Sequence, residues 1–300
     1  MAFFRTAKVN SLGVFDLTSK GNARTAFRKT GSYFLQNAGK IDLESALKDV
    51  SDLYAISDRV GDYIFLPARA SSVDVPNENG DCFTDTEMRR FNPALARKSY
   101  QTYLMKPHHI NHRADNPRMS RGFVVDVHYN DQNPMPDKWR AYYKKSTGVD
   151  HPRDVFIEAL IAVDTKKDPY LAEGYRTDAI RTFSMGCNCD RTRCHVCGNI
   201  AHDKREFCEH IARGKRKFFP SKLFGGLSVM AYEECEDVIF DELSAVDEPA
   251  DPRAEKGGSA FGLQASRQSV DVLAYLRSNP DNIPHATRVE LMRIALRMKS

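Results

Sequence analysis

Five of the seven cysteines fall between Cys187 and Cys208, in the pattern Cys187-x-Cys189-x4-Cys194-x2-Cys197-x10-Cys208-x-His210, with His195 and His202 between them. A disulfide framework spreads its cysteines along the chain and usually follows a secretion signal, so this clustering points to a metal held in a reducing compartment. A Cys-x2-Cys knuckle ending in Gly198 lets two thiolates reach one ion, and the Cys208/His210 pair can close a tetrahedron of the kind structural zinc (Zn2+) prefers. The expected ligands are Cys194, Cys197, Cys208 and His210, with Cys187 or Cys189 as a replacement for one of them. Four protein ligands leave no open coordination position, so the expected ion is a structural staple rather than a catalytic metal. Whatever the rest of the chain builds must therefore accommodate a rigid insertion immediately after Phe183-Ser184-Met185-Gly186.

The chain around that insertion can bury a full core, with 300 residues of which 41% are hydrophobic. No run approaches the roughly 18 to 20 uninterrupted apolar residues of a membrane span, and the N-terminus lacks the apolar core of a secretory signal, so the expectation is a soluble intracellular protein. Forty-four basic against 40 acidic residues is too balanced for general nucleic-acid binding. The imbalance is local: residues 1–40 carry Arg5, Lys8, Lys20, Arg24, Arg28, Lys29 and Lys40 against the single acid Asp16, and read as a loosely ordered basic arm suited to an acidic partner.

Apolar residues spaced near 3.6 predict a helix over 41–56, and residues 84–103 look helical although Pro93 divides them. The β-rich body is expected to begin near Asp62. Residues 122–129 alternate, with Phe123, Val125, Val127 and Tyr129 on one side and Val124, Asp126 and His128 on the other, as in a strand with one apolar face. Residues 130–153 read as a long excursion. Residues 155–163 are apolar apart from Glu158 and suit a strand covered on both faces. Two further strands are expected at 227–232 and 238–246, joined by an acidic turn. Gly225-Gly226 reads as turn geometry, with bare amides that could also serve an oxyanion. Residues 249–262 have linker composition, and 267–277 and 285–298 predict a small helical hairpin.

A serine hydroxyl attacks only when a base takes its proton and a third group holds that base. For Ser184 the candidates are His112, in Lys106-Pro107-His108-His109-Ile110-Asn111-His112, and Glu242, in Phe240-Asp241-Glu242-Leu243-Ser244-Ala245-Val246. In a regular strand Glu242 shares a face with Phe240, Ser244 and Val246, where a carboxylate needs a partner such as a histidine N–H. Asp241 lies on the other face, and alternation alone does not choose between the two acids. Cys187 and Cys189 are rival nucleophiles, disfavoured if metal-bound.

Three blocks, in order, resemble the prohead (head-maturation) serine proteases of tailed bacteriophages, whose fold is related to herpesvirus assemblin. Asn111-His112 followed by Arg121-Gly122-Phe123-Val124-Val125-Asp126 is similar to the catalytic-histidine loop and its strand. Phe183-Ser184-Met185-Gly186 is similar to the nucleophile strand. Residues 242–254, reading Glu242-Leu243-Ser244-Ala245-Val246 and then Pro249-Ala250 and Ala254, are close to the closing block and the most specific of the three. The likeness covers residues 62–254 and departs from the minimal pattern in the cysteine insertion and in the neighbouring His108 and His109.

The resemblance implies an α+β fold: a β-barrel-like, assemblin-type protease core over 61–254, with flanking helices and an inserted zinc-knuckle-like segment at 187–215. A basic arm and helix at 1–60 precede it, and a linker with helices at 255–300 follows. It implies Ser184 as nucleophile, His112 as proton shuttle and Glu242 as the group that orients the imidazole. The implied substrates are phage scaffold and major capsid precursor proteins, cut inside the prohead in the host cytoplasm, with no membrane or specific nucleic-acid partner. It also implies self-processing, for which the basic arm and the 249–262 linker are the expected sites. Two other classes compete: a non-catalytic virion or scaffold component of the same fold, and a zinc-containing HNH-like nuclease suggested by the histidines and the knuckle.

Overall fold

The computed structural model describes residues 43–256 together with two-residue strands at Phe4–Arg5, Phe15–Asp16 and Phe34–Leu35. The remainder of the basic arm and the expected C-terminal helical hairpin lie outside the described residues. The fold is mixed α+β and rich in sheet. Its main sheet is antiparallel, in the order Phe15–Asp16, β1 (Tyr63–Ser72), then β4 (Arg153–Asp164), β3 (Gly122–Pro134) and β2 (Pro107–His108). A second antiparallel pair joins β5 (Phe183–Asn188) to β8 (Ile239–Ala245).

Single bridges connect the two. Beyond β2 the chain lies along β8, where Ala245 N donates to His109 O at 2.9 Å and Asn111 N donates to Ala245 O at 2.8 Å. On the other side residues 254–256 run between β5 and β1, with Phe183 N donating to Ala254 O (2.9 Å) and Arg69 N to Glu255 O (3.1 Å). The hydrogen-bonded path therefore returns to where it began, giving a barrel-like body. Its interior is apolar and includes Ile64, Leu66, Val124, Ile157, Phe183, Phe240 and Leu243.

Helix α1 (Leu43–Tyr54) covers the outer face of the main sheet, its Leu47, Val50 and Tyr54 packed on Phe65, Phe123, Val125 and Leu160. Burial of aliphatic side chains of this kind contributes about 1.5–3 kcal/mol each. The strict alternation expected for 122–129 fails inside β3 for a definite reason. Leu160 faces Asp126 while Ile161 faces Val124, so Val125 is an extra, bulged residue. Phe123 and Val125 lie under α1, whereas past the bulge Val127 and Tyr129 turn into the interior beside Val124.

Other segments also differ from expectation. The excursion at 130–153 contains α2 (Asp137–Thr147), ended by Gly148 at φ 75°, a left-handed conformation that glycine adopts without a Cβ clash. Residues 84–103 form a short helix, Asp85–Arg89, a small hairpin of Phe91–Asn92 with Arg97–Lys98, and a 3-10 helix at Ser99–Tyr103, rather than one helix divided at Pro93. The acidic turn is a strand, β7 (Glu233–Glu236), paired with β6 (Arg191–Cys194); Arg191 and Arg193 of β6 hold Glu236. Helix α3 (Pro169–Arg176) was not expected, yet its start is written in Asp168-Pro169: Asp168 caps Leu171 N at 2.9 Å and Pro169 occupies the first turn.

A buried ionic clasp fixes the segment that closes the barrel. Burial alone would raise the Asp154 carboxyl, but the guanidinium of Arg69, at 3.1 and 2.8 Å, and that of Arg253 hold it below its ordinary value. Asp251 accepts from Ser72 N at 2.8 Å and from Arg253 N at 3.0 Å, tying the same segment to β1.

Candidate functional site

The β5–β8 register sets Ser184 opposite Ser244 and Gly186 opposite Glu242. Cross-strand partners share a face, with Cβ atoms about 4.5–5.5 Å apart, so Ser184, Ser244 and Glu242 are side by side. Just beyond, the register slips between Gly186/Glu242 and Cys187/Phe240, leaving Asp241 unpaired. This breaks the regular-strand expectation that Glu242 and Phe240 share a face, since Phe240 enters the interior with Leu243. It also separates the two acids: Glu242 is buried, whereas Asp241 faces outward towards Asn188 and Lys106.

The His112 loop meets this face. Asn111 and His112 both have left-handed backbones, at φ 50° and 56°, conformations that cost free energy in residues with a Cβ and persist only when neighbours enforce them. Here the enforcers are the Asn111 N bond to Ala245 O and a 3.3 Å bond from His112 N to Ser244 Oγ. The turn delivers His112 Nδ1 to within 2.5 Å of Glu242 Oε1, while Ser244 Oγ donates to Glu242 Oε2. A carboxylate can only accept, so Nδ1 carries the hydrogen and Nε2 presents a lone pair. The hydrogen bond to Glu242 raises the His112 pKa above its ordinary value, outweighing the opposing effect of partial burial.

Gly186 is required by the same geometry, because a Cβ there would stand 2.9 Å from both Cγ and Oε1 of Glu242. Ser184 is 8% exposed and its hydroxyl has no hydrogen bond to the imidazole among the described residues. It lines an apolar recess with Ala70, Val75, Phe83, Phe183 and Met185, while His112 lines a separate open cleft with Asn111 and Val246.

The neighbouring groups differ in character, and Cys189 stands apart because a hydrogen bond with Cys235 lowers its thiol pKa. His108 is buried and held at both nitrogens, by Leu243 O at 2.6 Å and Tyr175 OH at 2.8 Å, and burial lowers its pKa to about 4. His109 is buried with its pKa lowered by the same cause. Burial pushes the Cys187 thiol up to about 12, which makes it a poor nucleophile. Gly225 and Gly226, at φ 63° and 88°, form the turn after Lys222–Phe224. Sequence reasoning missed Ser244; its only signal was the two-residue spacing that places it on the Glu242 face.

The cysteine segment forms a second constellation. Donor atoms of Cys194, Cys197, Cys208 and His210 all lie within 4.8 Å of one another, a group that could hold a metal ion. The edge of a tetrahedron with metal–sulfur bonds of about 2.3 Å is about 3.8 Å. The Cys197–Cys208 sulfurs are 3.6 Å apart, and His210 Nδ1 is 3.7 Å from Cys208 Sγ and 4.0 Å from Cys194 Sγ. These three separations are close to such an edge, and Cys187 and Cys189 stand outside the four. The knuckle turns at Gly198 (φ 74°), whose N–H donates to Cys194 O at 2.7 Å, and His210 is carried by the short helix Glu209–Ala212. Val196, Ile211, Val229 and Ala231 pack around Cys194, so the unit continues past residue 215. His195 secures it to the body, with its ring between Glu234 (2.8 Å) and Thr147 O (2.9 Å).

No family model matches this chain, and no curated protein or solved structure proves similar enough to match it.

Proposed function

We propose that this chain is a serine endopeptidase of the prohead-maturation type, with an assemblin-like core, that cleaves phage scaffold and capsid precursor proteins and its own termini. The observation that carries the reading is the 2.5 Å contact of His112 Nδ1 with Glu242, on the strand face that also bears Ser184. In this reading His112 Nε2 takes the Ser184 proton as the hydroxyl attacks the scissile carbonyl, and later returns it to the leaving amine. Glu242 holds the ring and offsets the charge it gains, and Ser244 holds Glu242. The hydroxyl–imidazole bond would form when a peptide is bound, as catalytic hydrogen bonds often tighten only in the complex. The prohead interior is the corresponding place of action.

We infer further that the ion at Cys194, Cys197, Cys208 and His210 is zinc, in a closed site that stiffens the insertion and takes no part in the chemistry. The test is incubation with scaffold and capsid precursors: cleavage by the wild-type chain, and none by Ser184→Ala at unchanged zinc content. Intact precursors with both proteins would reject the reading. One observation favours a second reading, a non-catalytic virion component: Ser184 is nearly buried and makes no hydrogen bond to His112. That reading predicts particle assembly indifferent to Ser184→Ala.

A further inference from the structure

The outer face of the main sheet is divided. At one end α1 covers apolar residues; at the other β3 and β4 place two acids, Asp126 and Glu158, on this same face with 0% and 1% exposure. They are diagonal neighbours, since Leu160 faces Asp126 and Glu158 faces His128. Asp126 Oδ2 has no hydrogen-bond partner, and the Asn130 side chain beside the Glu158 carboxyl carries no charge to offset it. Arg69 stands directly across from Glu158 in β1, but its guanidinium is committed to Asp154 and Ser72. Burial pushes both carboxyls up to about 8, so each keeps its proton at neutral pH unless a cation is brought to it. A protonated carboxyl is neutral, so the cost falls on ionising either acid, and a cation brought to the pair is what would offset it.

The chain has such charge in one place. Residues 1–40 hold seven basic residues and one acid, and they lead directly into α1 on this same face. Two described pieces of the arm already lie on the sheet: Phe15–Asp16 pairs with Phe65 and Ile64 of β1, and Phe4–Arg5 is against β3. At about 3.3 Å per extended residue the arm has ample reach. We propose that the Asp126–Glu158 recess is the docking site for the chain's own basic arm, which supplies the counter-charge that the described body does not. The arm is then a latch on the back of the sheet, held by charge and therefore releasable by proteolysis or salt. The proposal is independent of any role for Ser184.

Hydrogen exchange read by mass spectrometry on the full chain tests it. One variant carries Asp126→Asn with Glu158→Gln; a second replaces the seven basic residues of the arm by Gln. In either variant, residues 1–16 and 122–130 should exchange at least about tenfold faster than in the wild type, and combining the two should add nothing more. The interior strand at 157–163 should be unchanged in the arm variant, which leaves the body intact; if the double acid variant misfolds, the arm variant alone decides. Unchanged exchange at 122–130 in the arm variant overturns the proposal, as does an arm that exchanges at the unfolded rate in the wild-type chain.

Discussion

The two candidate sites are assembled on different length scales. The metal cluster draws its donors from a short stretch, with Cys194 and His210 separated by 16 positions, and its geometry is set by one knuckle and one turn of helix. The strand-face site joins His112 to Glu242 across 130 positions, and it exists only because barrel closure brings the His112 loop against β8. A local site needs its ion and its own turns. A distributed one needs the whole register, and a slip of one residue in β5 would turn Ser184 to the opposite face. The two should therefore fail independently.

The largest expected effect separates them at once. Ser184→Ala should lower precursor cleavage by about 10^4-fold or more while zinc content and melting temperature stay as in the wild type; a loss of zinc in that variant would show that the sites are coupled. Gly186→Ala comes next. The new Cβ would meet the Glu242 carboxylate at 2.9 Å and displace it from His112, with an expected loss of about 10- to 100-fold in kcat and little change in KM. Chelation, or Cys197→Ser, attacks the local site instead. Metal content should fall from one equivalent to none and the 191–236 segment should lose exchange protection, with cleavage reduced less than about tenfold. A larger loss would mean that the insertion also shapes substrate binding.

The smallest effect concerns pH. A base must be neutral to work, and the Glu242 bond raises the His112 pKa, so cleavage should rise with pH through an inflection above the ordinary histidine value. Glu242→Gln should move that inflection down as well as lowering the plateau. The linked stabilisation is present below the unfolded histidine pKa and fades as pH rises through the folded one. Because the His112 side chain is 44% exposed, water screens the pair, and the rate profile is a better readout than the melting curve.

The same contrast of scale explains what could be read from the residues alone. The four metal donors were legible because thiolates that share an ion must be close in sequence or held by a compact turn, and spacing records both. Helix α1 was legible from periodicity and the buried strand β4 from its nearly continuous apolar run. The bulges were not: nothing in Phe123-Val124-Val125-Asp126 announces that Val125 is the extra residue, because the slip depends on the partner strand. For the same reason alternation could not choose between Asp241 and Glu242, which the unpaired position of Asp241 distinguishes. The left-handed turn at Asn111-His112 was hidden too, since it is imposed by Ala245 and Ser244, far along the chain.

Residues 254–256 are the final stave of the body: Arg253 is locked onto Asp154, and Lys256 N donates to Arg181 O at 2.6 Å. The boundary between dispensable and indispensable sequence should therefore be abrupt. A chain cut after Lys256 keeps every rung made among the described residues, whereas one cut a few residues earlier, before Arg253, loses the only backbone bridging β5 to β1 among them and abandons a buried Asp154–Arg69 pair to itself. Trimming from the C-terminus should leave the body unaffected up to that point and then open it along one seam.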